Sequence, residues 1–77
     1  MKYLKTQIKL STADEVRDFV DQASKCDFDI DIFYNRFIID AKSLLGVLSM
    51  DLTQNLNVNY SGYDAAFEQT LTKYAIA

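Results

Sequence analysis

The sequence predicts an α+β open-faced sandwich, with three helices on one face of a four-stranded, mostly antiparallel sheet whose other face is wet. Three observations carry this. Apolar residues switch between period two and a helical period along the chain, in the order β-α-β-β-α-β-α. The strand segments are half polar, as a sheet with one solvated face requires. The chain has 77 residues with 49% hydrophobic content, enough for one domain and too few to cover both faces of a sheet.

The first strand is expected over Tyr3 to Leu10, where Ile8 and Leu10 share one parity around Lys9. Thr12 followed by Glu15 is a capping box, with Ser11 and Asp14 offering the same chemistry one residue earlier. The helix that follows repeats Val16, Phe19, Val20 and Ala23 at i, i+3, i+4, i+7, turns Asp14, Glu15, Asp18, Asp21 and Gln22 outward, and carries Lys25 in its last turn. Phe28, Ile30, Ile32 and Tyr34 alternate with Asp29, Asp31 and Phe33, so Asp29 and Asp31 mark the wet face. Asn35-Arg36 turns the chain into a short antiparallel strand, Phe37 to Asp40. Ser43 caps a second helix expected to run to about Leu52, and Leu56, Val58 and Tyr60 form the fourth strand. A last helix repeats Tyr63, Phe67, Leu71 and Tyr74, with Ser61 and Asp64 available as caps.

Composition removes most chemistries. The chain has no His, one Cys and two Gly, so a histidine base, a disulfide framework, a thiol pair and a phosphate-cradling glycine loop are all excluded. A net charge of −3 argues against nucleic acid and anionic membranes as partners. The N-terminus is broken by lysines, and the longest apolar run, Leu44 to Met50, is too short to span a membrane, so a cytoplasmic protein is expected. Asp27, Asp29 and Asp31 begin like a calcium loop, but Ile32 and Ile38 stand where Gly and Glu are needed, and the segment reads as a strand. Cys26, beside Asp27, reads as an inert, semi-buried thiol. The expectation is a non-enzyme with no metal and no cofactor.

The second helix is the informative segment. Apolar residues surround it, while a two-layer domain buries one face; with Val47, Met50 and Leu52 toward the sheet, Leu44, Leu45 and Leu48 form a surface patch suited to a protein partner. Burial under a loop and self-association through the same leucines are the alternatives, and the chain is expected as a monomer or weak homodimer.

The stretch from Asp40 to Leu52 closely resembles the regulatory-serine helix of HPr, the phosphocarrier of the bacterial sugar phosphotransferase system, and the resemblance extends from about Thr12 to Ser61. It implies an HPr-like sheet of order 1-4-2-3. In that family a His before the first helix, in an H-x-R-P motif, carries the phosphoryl group; here Thr12, Asp14 and Glu15 stand at the His, Arg and Pro positions. Two carboxylates there repel a phosphoryl group. The resemblance therefore implies a relative that no longer carries phosphoryl groups and acts as a regulatory binding module. An atypical carrier using Thr12, and a structural domain dimerising through the second helix, are the other readings. Ser43 matches the serine that HPr kinase phosphorylates, after which the protein binds a catabolite-control repressor, with Lys42 expected beside the phosphate. A purely structural cap explains Ser43 equally well.

Overall fold

The computed structural model describes residues 4–76. Its elements are β1 (Leu4–Ile8), α1 (Ala13–Ser24), β2 (Ile30–Tyr34), β3 (Phe37–Asp40), α2 (Leu44–Leu48), β4 (Leu56–Tyr60) and α3 (Ala65–Tyr74). The strands form one sheet of order β1-β4-β2-β3 with every pairing antiparallel. This is the expected α+β open-faced sandwich. Tyr3, the start of the expected first strand, lies outside the described residues.

Period two explains the sheet's faces. Ile30, Ile32, Leu56, Val58 and Tyr60 point inward and are buried, with Ile8 beside them. Against them pack Val16, Phe19, Val20 and Ala23 of α1, Val47 of α2, and Phe67, Leu71 and Tyr74 of α3. The Phe19 and Phe67 rings meet at 5.8 Å, and Tyr60 meets Phe67 edge-on at 5.4 Å, geometries that aromatic quadrupoles favour. On the opposite face Asp31 pairs with Asn59 of β4 and Asp40 of β3, and Phe33 pairs with Asn57 and Ile38.

Local chemistry sets the boundaries. Asn35 turns the β2–β3 hairpin with φ 55°, a region Asn enters more readily than other non-Gly residues. Gly62 lets the chain pass under Phe28, since a Cβ there would meet that ring at 2.3 Å. Asp64, not Ser61, caps α3 by accepting the Phe67 N–H at 2.9 Å. Tyr63 therefore precedes the helix instead of joining its stripe, and is 75% exposed. Lys25 is the C-cap of α1, one position beyond the last turn, where it pairs with Asp21 at 3.6 Å.

The second helix is shorter than its hydrophobicity suggests. It ends at Leu48 because Ser49 folds back, its hydroxyl donating to the Gly46 carbonyl at 2.6 Å. Asp51 then holds Thr53 through backbone and hydroxyl bonds of 3.0 and 2.6 Å, a turn that helix could not accommodate. Met50 and Leu52 are half-buried against the core from this loop, not from the helix. After α3 the chain closes on β1, with an Ile8–Ala75 bridge and the Ile76 N–H donating to Gln7 at 3.1 Å. No helix among the described residues is long and apolar enough to cross a membrane.

Candidate functional site

Two helix starts bear the residues the sequence singles out. At α1, Thr12 adopts extended backbone and its hydroxyl accepts the Glu15 N–H at 3.1 Å. Glu15 reaches back to accept the Ser11 N–H at 2.6 Å, so the capping box closes on Ser11 instead of on Thr12 itself. Asp14 pairs with Arg17 at 3.3 Å. The positive end of α1 is thus already neutralised by the chain's own carboxylates, and the Thr12 oxygen is engaged as an acceptor.

At α2, Ser43 repeats the cap. Its exposed hydroxyl accepts the Gly46 N–H at 3.1 Å. Gly46 is needed for close approach: a Cβ there would lie 2.8 Å from Ile39 and 2.9 Å from the Ser43 hydroxyl. Lys42 is not directed at Ser43 as the sequence suggested; its ammonium donates to the Cys26 carbonyl at 2.9 Å, fastening the β3–α2 turn to the end of α1.

The expected leucine patch divides. Leu45 is 80% exposed and Leu48 36%. Leu44 is half-buried and packs against the core, lining a shallow groove of about 450 Å³ between α1 and α2 with Arg17, Val20, Asp21 and Ser24. Only Val47 of this helix is buried. The apolar display on this helix is therefore Leu45 and Leu48, with Leu44 turned into the α1–α2 groove.

Cys26, Tyr60 and Asp18 each have a structural partner. Burial, and then the nearby Asp64, pushes the Cys26 thiol up, and its sulfur lies 3.7 Å from the Gln22 carbonyl; it is buried rather than semi-buried. Burial likewise raises Tyr60, whose hydroxyl donates to Glu68 at 2.7 Å. Tyr74 and Lys73 both donate to Asp18, at 2.6 and 3.2 Å, and hold its carboxyl below the usual range. Among the described residues no three His, Cys, Asp or Glu side chains converge on a common metal position. Asp29 is exposed at the start of the sheet and Asp31 half-buried on its open face.

One apolar feature escaped the sequence reading. Behind the edge strand, Tyr34, Phe37, Ile39 and Met50 line a pocket of about 310 Å³, and Phe37 and Ile38 are 61% and 69% exposed. The unbroken run Phe37-Ile38-Ile39 in an edge strand was the signal for it.

No family model matches the chain, and neither does any curated protein. Solved structures do. A crystal structure of HPr-C-His from Thermoanaerobacter tengcongensis is 25% identical, with a TM-score of 0.72 over 95% of this chain and 89% of that one. A phosphocarrier protein HPr from Bacillus anthracis str. Ames is 21% identical, with a TM-score of 0.72 over 96% of this chain and 99% of that one. With the element order β-α-β-β-α-β-α and a sheet running β1-β4-β2-β3, the chain has the fold of the HPr phosphocarriers.

Proposed function

We propose that this chain is a regulatory module related to the phosphocarriers of the sugar phosphotransferase system, which binds a protein partner through α2 and does not itself carry phosphoryl groups. The observation that carries the reading is the contrast between the two helix starts. By the resemblance, Thr12 stands where a phosphocarrier of this fold has its His, and here it is spent as a cap beside Asp14 and Glu15. The neighbouring α2 presents Leu45 and Leu48 to solvent. A domain that has lost the chemistry and kept an apolar display is suited to recognition.

Ser43 is the proposed control point. Its hydroxyl is exposed, so a kinase could reach it. Phosphorylation there would set up to about two negative charges beside Leu45 and Leu48. With Lys42 held by Cys26, the positive charge answering that phosphate would come from the partner, a protein carrying a basic group next to an apolar pocket, such as a catabolite-control repressor.

Intact mass after two incubations tests the proposal. With enzyme I and phosphoenolpyruvate the mass stays unchanged; with HPr kinase and ATP one phosphoryl group is added, and Ser43→Ala abolishes it. A phosphoryl group gained from enzyme I and lost in Thr12→Val would overturn the reading in favour of an atypical carrier. No addition from the kinase would remove Ser43 as a switch and leave it a cap.

A further inference from the structure

The sheet's two edges are treated differently. At β1 the chain's own residues Ala75 and Ile76 bond to the outer edge. At β3 no element lies beyond the strand among the described residues, and the edge is apolar, with Phe37 61% and Ile38 69% exposed. Natural edges are usually blunted by Pro, Lys or a bulge; this four-residue strand has none of these, and only its shortness and the terminal Asp40 protect it.

The hydrogen-bond parity of that edge is fixed. Tyr34 and Phe37 close the hairpin, and the Ala41 N–H donates to the Ile30 carbonyl at 2.9 Å. Phe37, Ile39 and Ala41 therefore turn their backbone groups toward β2, and Ile38 and Asp40 turn theirs outward. The Asp40 carbonyl accepts the Ser43 N–H at 3.0 Å. The Ile38 N–H and C=O and the Asp40 N–H remain to be met from outside.

Side chains on the same row are electrostatically incomplete. Asp31 and Asp40 lie directly opposite each other in the β2–β3 register, and like charges so placed repel. Arg36, four residues before Asp40, is exposed and forms no ion pair among the described residues.

We infer that the β3 edge is a self-association surface, on which a second copy of this chain adds its own β3 antiparallel about a two-fold axis through Ile38. Outward-facing groups can meet only in registers that pair even-numbered residues with even-numbered ones. Of the short-strand registers that satisfy this, the one centred on Ile38 sets Arg36 opposite Asp40 of the second copy, and Asp40 opposite its Arg36. The neighbouring registers set Arg36 opposite Ile38 or Lys42 instead. In the favoured register two Ile38–Ile38 bonds and two bonds from Asp40 N–H to the Arg36 carbonyl join the copies. Each Asp31–Asp40 pair gains a guanidinium. The apolar pairs Phe33–Ile38 of the two copies become one continuous row on an eight-stranded sheet.

This surface is separate from α2, and charge reversal tests it in the whole chain by sedimentation velocity over a concentration series. The parent shows a reversible, concentration-dependent dimer that weakens as salt rises. Arg36→Asp alone, and Asp40→Lys alone, each weaken it about tenfold or more by opposing like charges. An equimolar mixture of the two variants restores the dimer, because the introduced carboxylate of one copy then faces the introduced ammonium of the other, while the unaltered Asp40 of the first faces the unaltered Arg36 of the second. Ile38→Lys, which touches no hydrogen bond of the fold, abolishes it and guards against a folding defect in the Asp40 variant, whose carboxylate also accepts the Lys42 N–H at 2.9 Å. Leu45→Asp leaves it intact. A parent that stays monomeric up to about 1 mM would overturn the inference, as would a dimer that survives Ile38→Lys or is lost in Leu45→Asp.

Discussion

Helices α1 and α2 begin with the same device and end in opposite roles. Thr12 and Ser43 each accept the N–H three residues on at 3.1 Å. From there α1 runs 12 residues and buries Val16, Phe19, Val20 and Ala23, while α2 runs five residues and buries Val47 alone. The acidic first turn of α1 meets its dipole internally; α2 has no acidic residue in its first turn. The lesson is that a cap specifies where a helix starts, and the residues behind it decide whether that helix is scaffold or display.

The largest expected effects separate these roles by stability. Phe19→Ala, in a fully buried site against Phe67, costs about 3–5 kcal/mol in urea unfolding, most of what a domain of this size possesses. Val47→Ala costs about 2 kcal/mol from two lost methyl groups and the space they leave. Were Val47→Ala to cost as much as Phe19→Ala, α2 would be scaffold and the comparison would fail. The two caps come next. Thr12→Ala and Ser43→Ala each cost about 1 kcal/mol, a pair of equal losses that would show the caps to be structurally equivalent whatever else Ser43 does. A loss confined to Thr12→Ala would mean that α2 is held by packing of Val47 and Leu44 and that Ser43 is free of structural duty. Smaller still is Leu45→Ala, within about 0.5 kcal/mol of the parent at this exposed position. Binding would show the reverse order, with Leu45→Asp weakening capture of a partner that Phe19 never touches.

What the sequence made legible follows the same division. Where a helix or strand buries one face, periodicity named the inward residues correctly: Val16, Phe19, Val20 and Ala23 of α1, Ile30 and Ile32 of β2, and Leu56, Val58 and Tyr60 of β4 are all buried. Periodicity loses its grip where apolar residues occur all round. Leu44 to Leu52 contains no polar face to orient it, so its end at Leu48 is set by the Ser49 and Asp51 side-chain bonds, which no hydropathy pattern expresses. That also moved Leu44 inward and placed Met50 and Leu52 in a loop. Long, flexible side chains were the other blind spot. Lys42 was expected at the Ser43 phosphate position and instead spans to Cys26, a tertiary contact sixteen residues away that depends on where α1 stops.

A last difference concerns how each helix is tied to its neighbours, and pH should reveal it. Asp18 of α1 accepts from Tyr74 at 2.6 Å and Lys73 at 3.2 Å, joining α1 to the end of α3, and these bonds hold its carboxyl below the ordinary value. Among the described residues no ion pair includes a side chain of α2. A depressed carboxyl stabilises the fold fully above its unfolded pKa, about 3.9, and that contribution disappears as pH falls through the lower folded value. Urea midpoints should therefore decline below about pH 4, and Asp18→Asn should flatten part of that decline while leaving the neutral-pH fold intact. Hydrogen exchange read at the same acidic pH sharpens the comparison: protection falls first around Asp18 in the middle of α1, at the C-terminal end of α3, and in the turn after α2 where Asp51 holds Thr53, whereas the body of α2, anchored by Val47 and the Ser43 hydroxyl, changes only with the whole domain. Faster loss in α2 than in α3 would show that the displayed helix is held electrostatically after all, and would shift the origin of its exposure from sequence to charge.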